Sequence, residues 1–280
     1  MRLIPHVAAV ACLTVCAPSL FAQEQVSLFP RKDASLFEPD LPTAQLSGGG
    51  GQLFVGRTGS GRIRRAMMQF DVAGAVPAGA TITAVELQLT VNQTNAGPAV
   101  TTLHRMLADW GEGDRVGPGG GAGGAAAVAG DATWAYRFFP NEAWTNLGGD
   151  FDTAVLASKS MSGVGSYVFS GAELTAAVAD MLADPDANFG IVAIGDEVNG
   201  ITAKRIASRE NATESSRPLL TITYTPGCIA DWNHDGAVDG DDVIAFFSDW
   251  DANNADADGS GGTDGDDVIA FFGQWDTNCT

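Results

Sequence analysis

An acidic sequence occurs twice near the C-terminus of the chain, and this repeat constrains the fold more than any other feature. The phrase DWNHDGAVDGDDVIAFF occupies residues 231–247, and DADGSGGTDGDDVIAFF occupies residues 256–272. Residues 227–280 hold 13 Asp and no Glu, Lys or Arg, in a chain whose net charge is −19. This shift in composition predicts a separate C-terminal unit, and the negative charge disfavours nucleic acid as a partner.

In the first copy, oxygen-bearing side chains recur at positions 1, 3, 5, 9 and 12 of a twelve-residue loop. In order they are Asp231, Asn233, Asp235, Asp239 and Asp242. This is the ligand spacing of an EF-hand loop, in which Gly236 would permit the turn and Ala237 would offer its backbone carbonyl. The pattern predicts a calcium site, and an acidic solvated linker is the alternative.

The second copy repeats the spacing and predicts a second calcium ion. Its residues are Asp256, Asp258, Ser260, Asp264 and Asp267, with the carbonyl of Gly262 at position 7. Because Ser260 is a neutral ligand, we expect this site to be the weaker one. Carboxylates crowded into twelve residues repel one another unless a cation neutralises them, so metal binding and folding are expected to be coupled.

The same helical run, DDVIAFF, follows each loop. Val243, Phe247 and Trp250 recur at i, i+4 and i+7, and the second run repeats this pattern. We expect these apolar faces to pack against each other. The TPGCIA segment before Asp231 is too short and too broken to form a preceding helix, so each copy is half of an EF-hand.

Duplicated half EF-hands with Asp at position 12 resemble a dockerin, and the PGC entry and closing Cys279 resemble the GC-type variety. The resemblance covers residues 226–280. It implies docking onto a cohesin-like receptor, with contacts beginning at loop positions 10 and 11. Those positions hold Gly240, Asp241, Gly265 and Asp266. Their identity in both copies implies two equivalent docking orientations; alternatively, the pairs only start the helices, where Asp is favourable.

The N-terminus and the cysteines indicate export. Residues 1–22 carry one Arg, an apolar stretch and a polar end, which is typical of a cleaved signal peptide, and no other stretch is apolar enough to cross a membrane. Cys228 and Cys279 bracket the acidic repeat, and in an oxidising compartment such a pair predicts a disulfide, with two free thiols as the alternative. We therefore expect a secreted or surface-attached protein.

Residues 23–225 are predicted to form an all-β domain. The run TITAVELQLTVNQ at 81–93 alternates apolar and polar residues, and FGIVAIGD, AKRIASRE and RPLLTITYT indicate three later strands. One short helix is expected after a Ser170 cap and before Pro185. The fold class is thus a jelly-roll-like sandwich with one short helix, followed by the small α-helical calcium-binding unit.

This region also resembles a known family. RAMMQFDVAGAVPAGATITAVELQLTV, the DW at 109–110, GDATW, GGDF and ASRE with RPLLTITY follow in order the pattern of DNRLRE-type domains. The resemblance implies a β-sandwich module of secreted or surface proteins, with relatives classed as carbohydrate-binding. The sequence DNRLRE, after which the family is named, does not occur in this chain. Arg209 and Glu210 match its last two residues.

Four residues between strands are candidates for carbohydrate contact: Trp134, Tyr136, Arg137 and Trp144. Aromatic faces stack on sugar rings and Arg pairs with carboxylates, although tryptophans in such loops also plug the end of a sandwich. Arg209 and Glu210, taken as strand neighbours, are expected to point to opposite faces and to find separate ion-pair partners.

Catalysis is disfavoured. After loss of the signal peptide, His104 is the one histidine outside the calcium loops, and no GxSxG or HExxH motif occurs. A two-carboxylate glycosidase stays open, since five carboxylates are available to a cleft: Asp109, Glu112, Asp114, Asp150 and Asp152. The sequence therefore favours a non-catalytic glycan-recognising module anchored through its dockerin. A structural surface protein without a soluble ligand is the alternative.

Overall fold

The computed structural model describes residues 23–277, except 42–45, 49, 78, 114, 118–120, 122, 234, 236 and the side chain of 277. The expected signal peptide at 1–22 lies outside the described residues. Two compact units meet in sequence between Cys228 and Ile229, three residues beyond the expected junction. We call them the β unit (residues 23–228) and the acidic unit (residues 229–277).

The β unit is built on one curled antiparallel sheet. Its strands are β1 (Glu24–Leu28), β2 (Lys32–Phe37), β3 (Leu46–Ser47), β4 (Gln52–Arg57), β5 (Ile63–Gln69), β6 (Thr81–Gln93), β7 (Ala99–Arg105), β8 (Ala125–Ala126), β9 (Tyr136–Phe138), β10 (Glu142–Ala143), β11 (Ala157–Met161), β12 (Gly165–Ser170), β13 (Ile191–Ile194), β14 (Lys204–Ala207) and β15 (Leu219–Thr225). Nine strands follow the order β1-β15-β6-β14-β4-β5-β13-β7-β11, while β12 adds to β6 and β2 adds to β5. The pairs β9–β10 and β3–β8 stand apart. This mostly β, sandwich-like architecture confirms the all-β expectation at that level.

Strand β6 organises half of the sheet. It coincides with the predicted run at 81–93, and its inward-facing residues Val85, Leu87, Leu89 and Val91 are buried. They join one large core cluster with residues of β5, β13 and β15. The alternation of apolar and polar side chains therefore set both the extent of this strand and its buried face. Strands β13, β14 and β15 likewise lie within the three later predicted runs.

The helices are α1 (Ala172–Ala183), α2 (Gly240–Asp251) and α3 (Gly265–Thr277), with 3-10 turns at Pro185–Ala187 and Glu214–Ser216. The predicted Ser170 cap on α1 is wrong. Ser170 pairs with Glu86 as the last residue of β12, and Gly171 is the N-cap residue, without a side-chain hydrogen bond. Gly171 has φ 155°, a conformation that favours glycine and lets the chain leave the strand and enter the helix at once. No helix of the described chain is long and apolar enough to cross a membrane.

In the acidic unit, α2 and α3 pack through two equivalent phenylalanines. Phe246 and Phe271 are fully buried, and their rings stack with centroids 4.3 Å apart. The expected packing of the two repeat helices against each other is therefore present, but the prediction that Phe247 belongs to the buried face of α2 was wrong. Phe247 is 41 % exposed, whereas Phe246 lies at its centre, so the buried face follows an i, i+3, i+7 spacing through Val243 and Trp250.

Candidate functional site

The first acidic loop is organised by the carboxylate of Asp242, which is fully buried. One oxygen accepts a hydrogen bond from the amide of Asn233 at 3.0 Å, and the other accepts one from the amide of Asp239 at 2.9 Å. Asn233 and Asp235 in turn accept hydrogen bonds from amides two residues further along the chain. The loop is thus wound so that its oxygen-bearing side chains bond to the backbone of the same turn.

The second loop repeats this arrangement around Asp267. Its carboxylate is also buried and accepts hydrogen bonds from the amides of Asp258 (3.0 Å) and Asp264 (2.7 Å). The amide of Asp264, followed by that of Asp258, lowers the pKa of Asp267 below its ordinary value. One oxygen each from Asp256, Asp258 and Asp267 lie within 4.8 Å of one another. This loop therefore brings three of its predicted ligands together.

The donor set suits a hard divalent cation. Every predicted ligand offers oxygen, from a carboxylate, an amide, a hydroxyl or a backbone carbonyl, which is the chemistry that calcium prefers. Ser260 and Gly262 are exposed and lie in the loop between Asp258 and Asp267, and exposed Ala237 holds the place of Gly262 in the first loop. Of the first loop's other predicted ligands, Asp231 is partly buried, and the turn residue Gly236 lies outside the described residues. The donor chemistry of both loops fits calcium, and among the described residues the second loop gathers three carboxylates.

The predicted docking residues begin the two helices. Gly240 with Asp241 opens α2, and Gly265 with Asp266 opens α3; all four are exposed. The amides of Asp241 and Asp266 donate to the carboxylates of the residues two positions before them, at 2.9 Å in both copies. These residues are therefore helix-start residues with surface-accessible side chains, which is compatible with both interpretations of the sequence.

Sequence reasoning missed an apolar pair on the same helices. Ile244 on α2 and Ile269 on α3 occupy equivalent positions one turn beyond the helix starts, and each is 70 % exposed. Within each VIAFF run, the valine packs inward while the next residue faces solvent. The repeat therefore duplicates an exposed isoleucine, and position 14 of both copies was the sequence signal that would have revealed it.

Cys228 is disulfide-bonded. Its predicted partner, Cys279, lies outside the described residues, as do Cys12 and Cys16. The Cys228–Cys279 pairing therefore stays a prediction.

The predicted carbohydrate residues separate into two groups. Trp144 is buried and donates its indole N–H to the carbonyl of Thr133 at 2.9 Å, and the Trp134 ring packs under the Arg65 guanidinium. Both tryptophans belong to a second core cluster that includes Met67 of β5 and Val192 of β13, so they serve packing. Tyr136 and Arg137 are half-buried on the β9–β10 hairpin.

Arg137 already has partners within the protein. Its guanidinium forms a short ion pair with Glu142 and donates to the carbonyl of Asp109. A ligand carboxylate at this hairpin would therefore compete with Glu142 for the Arg137 guanidinium.

The expectation for Arg209 and Glu210 was wrong. They follow β14 in a turn rather than lying within a strand, and the Arg209 guanidinium pairs with Glu210 at 2.5 Å. It also makes two hydrogen bonds to the carboxylate of Glu112, at 2.8 and 3.1 Å. Alternation of side chains applies only to extended backbone, and the turn brings these neighbours to the same side.

Asp33 completes this cluster. It is 2 % exposed, its carboxylate accepts the Arg209 amide at 2.7 Å, and its own amide donates to Glu112. Burial raises the pKa of Asp33 well above its ordinary value; the Arg209 amide lowers it, and the Glu210 and Glu112 carboxylates raise it further. Nothing local in the sequence connects Asp33 with the distant Glu112 and Glu210, because the fold alone brings them together.

The carboxylates considered for glycosidase chemistry are engaged in structural bonds. Burial raises the pKa of Asp109, but hydrogen bonds from Lys32 and the Trp110 amide outweigh it, so this pKa is lowered overall. The pKa of Asp150 is also lowered overall, because hydrogen bonds from Thr145 and Asn146 outweigh the effect of burial. A glycosidase acid needs a raised pKa, so neither carboxylate suits that role. Asp114 lies outside the described residues.

His104 and the arginines Arg62, Arg64 and Arg65 have partners within the β unit. Both ring nitrogens of buried His104 are hydrogen-bonded, to the carbonyl of Asp152 and to the Thr102 hydroxyl. Arg62 pairs with the exposed Asp40 at 2.9 Å, Arg64 is buried, and Arg65 makes two bonds to Glu197. Of the three arginines, Arg62 is therefore the one at the surface.

Comparison with protein-family models and with curated proteins yields no match to this chain. The likenesses to DNRLRE-type and dockerin domains therefore rest on the sequence motifs described above.

Proposed function

We propose that the protein is a secreted, non-catalytic protein whose acidic unit is a dockerin-like module that binds two calcium ions and docks onto a cohesin-like receptor. The observation that carries the proposal is the repeated loop geometry: in each copy, a buried carboxylate at position 12 holds the amides at positions 3 and 9. Two loops wound alike lead into two helices that share one core.

Calcium in this proposal shapes the loops. The ion supplies charge neutralisation among carboxylates that otherwise repel one another. Asp242 and Asp267 anchor each loop to its helix, since each lies in the first turn of that helix and is bonded to the loop's amides. Loop order is thereby linked to the orientation of the exposed helix starts.

The docking face combines the helix starts with the exposed isoleucines. Ile244 and Ile269 are equally exposed, and each lies one turn beyond an exposed Gly-Asp pair. An apolar centre rimmed by acidic side chains is typical of a protein interface, and it favours a receptor surface with an apolar centre and a basic rim.

Calcium binding is tested by isothermal titration calorimetry on the full chain after removal of metal. We expect two ions per chain, with dissociation constants of about 0.1–1 mM as in extracellular modules. Asp267→Asn is expected to remove one binding event. The matched control, Asp251→Asn, removes the same charge from the exposed end of α2 and leaves both events in place. Titration heats identical for wild type and Asp267→Asn would contradict the assignment.

Docking is tested by capture of the full chain on a panel of immobilised cohesin domains, with calcium or with EDTA. We expect capture only with calcium, and loss of capture in the double variant Ile244→Asp with Ile269→Asp. Val164→Asp, at a valine of the β unit that is 71 % exposed, is the control for adding charge to an exposed apolar site. Capture that survives EDTA would exclude calcium-dependent docking.

Glycan recognition by the β unit is a second candidate function. Tyr136 and Arg137, both half-buried on one hairpin, support it by offering an aromatic ring and a guanidinium on the same short strand. A polysaccharide pull-down with Tyr136→Ala as the paired variant distinguishes a glycan-binding module from a structural protein without a soluble ligand. Release of reducing sugar would instead identify an enzyme.

A further inference from the structure

The edge of strand β6 is open over its first five residues. Residues 81–85 pair on one side with β15, whereas β12 on the other side ends at the pair Ser170 with Glu86. No described strand pairs with residues 81–85 beyond that point. An antiparallel strand directs alternate N–H and C=O groups to either neighbour, so this stretch presents unpaired backbone groups on its free edge.

A groove of about 510 Å³ lies along this free edge. One wall is residues 82–86 of β6, and the other is one face of α1 formed by Ala172, Thr175, Ala176 and Ala179. These four residues recur at i, i+3, i+4 and i+7, so they form a continuous stripe of small side chains alongside the strand. The groove therefore lies between the free edge of β6 and the helix into which the chain turns after β12.

The lining favours a peptide backbone over a sugar. It contains no aromatic ring for stacking on a sugar. The hydroxyls of Thr83 and Thr175 already donate to the carbonyls of Thr223 and Gly171. The unpaired hydrogen-bonding groups are therefore mainly those of the β6 backbone, whose spacing matches another extended chain.

The charge of the groove indicates which side chains a bound peptide would carry. Glu86 is the one charged residue in the lining, it is exposed, and within the described chain its carboxylate has no hydrogen-bond or ion-pair partner. A cationic side chain on the bound segment would complement it.

We infer that the groove between β6 and α1 binds an extended peptide as an added strand on residues 81–85, with a lysine or arginine placed beside Glu86. The inference goes beyond the docking function proposed above, because it concerns the β unit and requires neither calcium nor the acidic unit. Walls of small side chains leave room for β-branched residues at the alternate positions of the bound strand.

The test is titration of the isotope-labelled full chain with the peptide acetyl-Thr-Val-Lys-Val-Thr-Val-amide, followed by amide NMR. We expect shift changes at residues 81–86 and along the facing side of α1. A peptide with Glu in place of Lys is expected to bind more weakly, and one with Pro in place of the central Val, which removes a backbone N–H, is expected not to bind. Cellohexaose serves as the carbohydrate probe.

Two variants and one control localise the site. Ala176→Leu fills the groove from an exposed helix position and is expected to weaken the lysine peptide at least tenfold, or about 1.4 kcal/mol. Glu86→Gln is expected to weaken it about two- to fivefold and to abolish the preference for Lys over Glu. Ala183→Leu, exposed on α1 but outside the groove, is expected to bind as wild type does.

The wild-type shift map decides the question even if a variant fails to fold. Absence of peptide-induced shifts at residues 81–86, with the peptide at about 5 mM, would overturn the inference, since a millimolar site would then be mostly filled. So would shifts caused there by cellohexaose and not by the peptide, or equal affinity for the proline-containing peptide.

Discussion

Single residues in the β unit show how charge is accommodated away from water. Three carboxylates, those of Asp33, Glu112 and Glu210, surround one guanidinium, that of Arg209. The guanidinium bonds directly to the two glutamates, whereas the buried Asp33 accepts a hydrogen bond from the Arg209 backbone amide. Burial makes the ionised carboxylate costly, which is why the pKa of Asp33 is raised in the folded protein.

The raised pKa of Asp33 predicts how stability depends on pH. In the unfolded chain Asp33 ionises near its ordinary pKa of 3.8, whereas in the folded protein it ionises well above that value. This site therefore stabilises the fold below pH 3.8 and loses that contribution as pH rises toward the folded-state pKa. Asp33→Asn keeps the shape without the charge, so its melting temperature relative to that of wild type is expected to rise as pH increases from 3.8 toward the folded-state pKa of Asp33.

Scanning calorimetry of the β-unit transition at several pH values measures this difference. Asp186→Asn, at an exposed aspartate, is the matched control and is expected to follow wild type throughout. A gap between Asp33→Asn and wild type that stays constant from pH 4 to pH 7 would contradict the prediction.

The same cluster shows where sequence reasoning ends. Alternation in residues 81–93 was sufficient to predict β6 and its buried face, because period-2 patterning is a local property of one strand. The Arg209 pairings were mispredicted, because they depend on a turn and on a glutamate brought from a distant segment. Local sequence patterns are sufficient to predict strands and the spacing of metal-binding loops. Ion-pair networks cannot be predicted in this way, because they depend on the tertiary fold.

At the scale of secondary-structure elements, α2 and α3 depend on each other. Each carries an apolar stripe that one helix of 12 or 13 residues cannot bury alone, and the Phe246–Phe271 stack lies at the centre of their contact. Trp232 packs edge-on against Phe246 from the first loop and donates its indole N–H to Asp249 at 2.9 Å. Loop and helix packing are thus joined.

The stack predicts a measurable coupling between the helices. Phe246→Leu and Phe271→Leu are each expected to destabilise the acidic unit by up to about 1.5 kcal/mol. Because the two rings contact each other, the double variant is expected to lose about 0.5–1.5 kcal/mol less than the sum of the single losses. Hydrogen exchange of the α2 and α3 amides measures these free energies.

Phe247, the exposed residue next to Phe246, provides the control for this double-mutant cycle. Phe247→Leu is expected to change stability by less than about 0.5 kcal/mol. Additive losses for the Phe246 and Phe271 variants, or a loss for Phe247→Leu as large as theirs, would indicate that the helices do not pack through the stacked rings.

At the scale of the whole molecule, the chain combines two units with different sources of stability. The β unit has a large apolar core drawn from most of its strands. The hydrophobic cluster of the acidic unit contains four fully or nearly buried residues, Phe246, Ala255, Ala257 and Phe271, with partly buried side chains packed around them. A domain of about 50 residues with so small a core usually needs a metal or a disulfide in addition.

This difference predicts two unfolding transitions, of which only one responds to calcium. Calcium that binds only the folded acidic unit stabilises it by RT ln(1 + [Ca]/Kd), about 2.7 kcal/mol at one hundred times Kd. In scanning calorimetry of the full chain, we therefore expect one transition to move upward with calcium and to fall or vanish in EDTA, while the β-unit transition stays fixed. Asp267→Asn is expected to reduce the calcium-dependent shift, and Asp251→Asn to preserve it. A single transition, or two transitions that move together, would mean that the units do not unfold independently and that calcium stabilises more than the repeated loops.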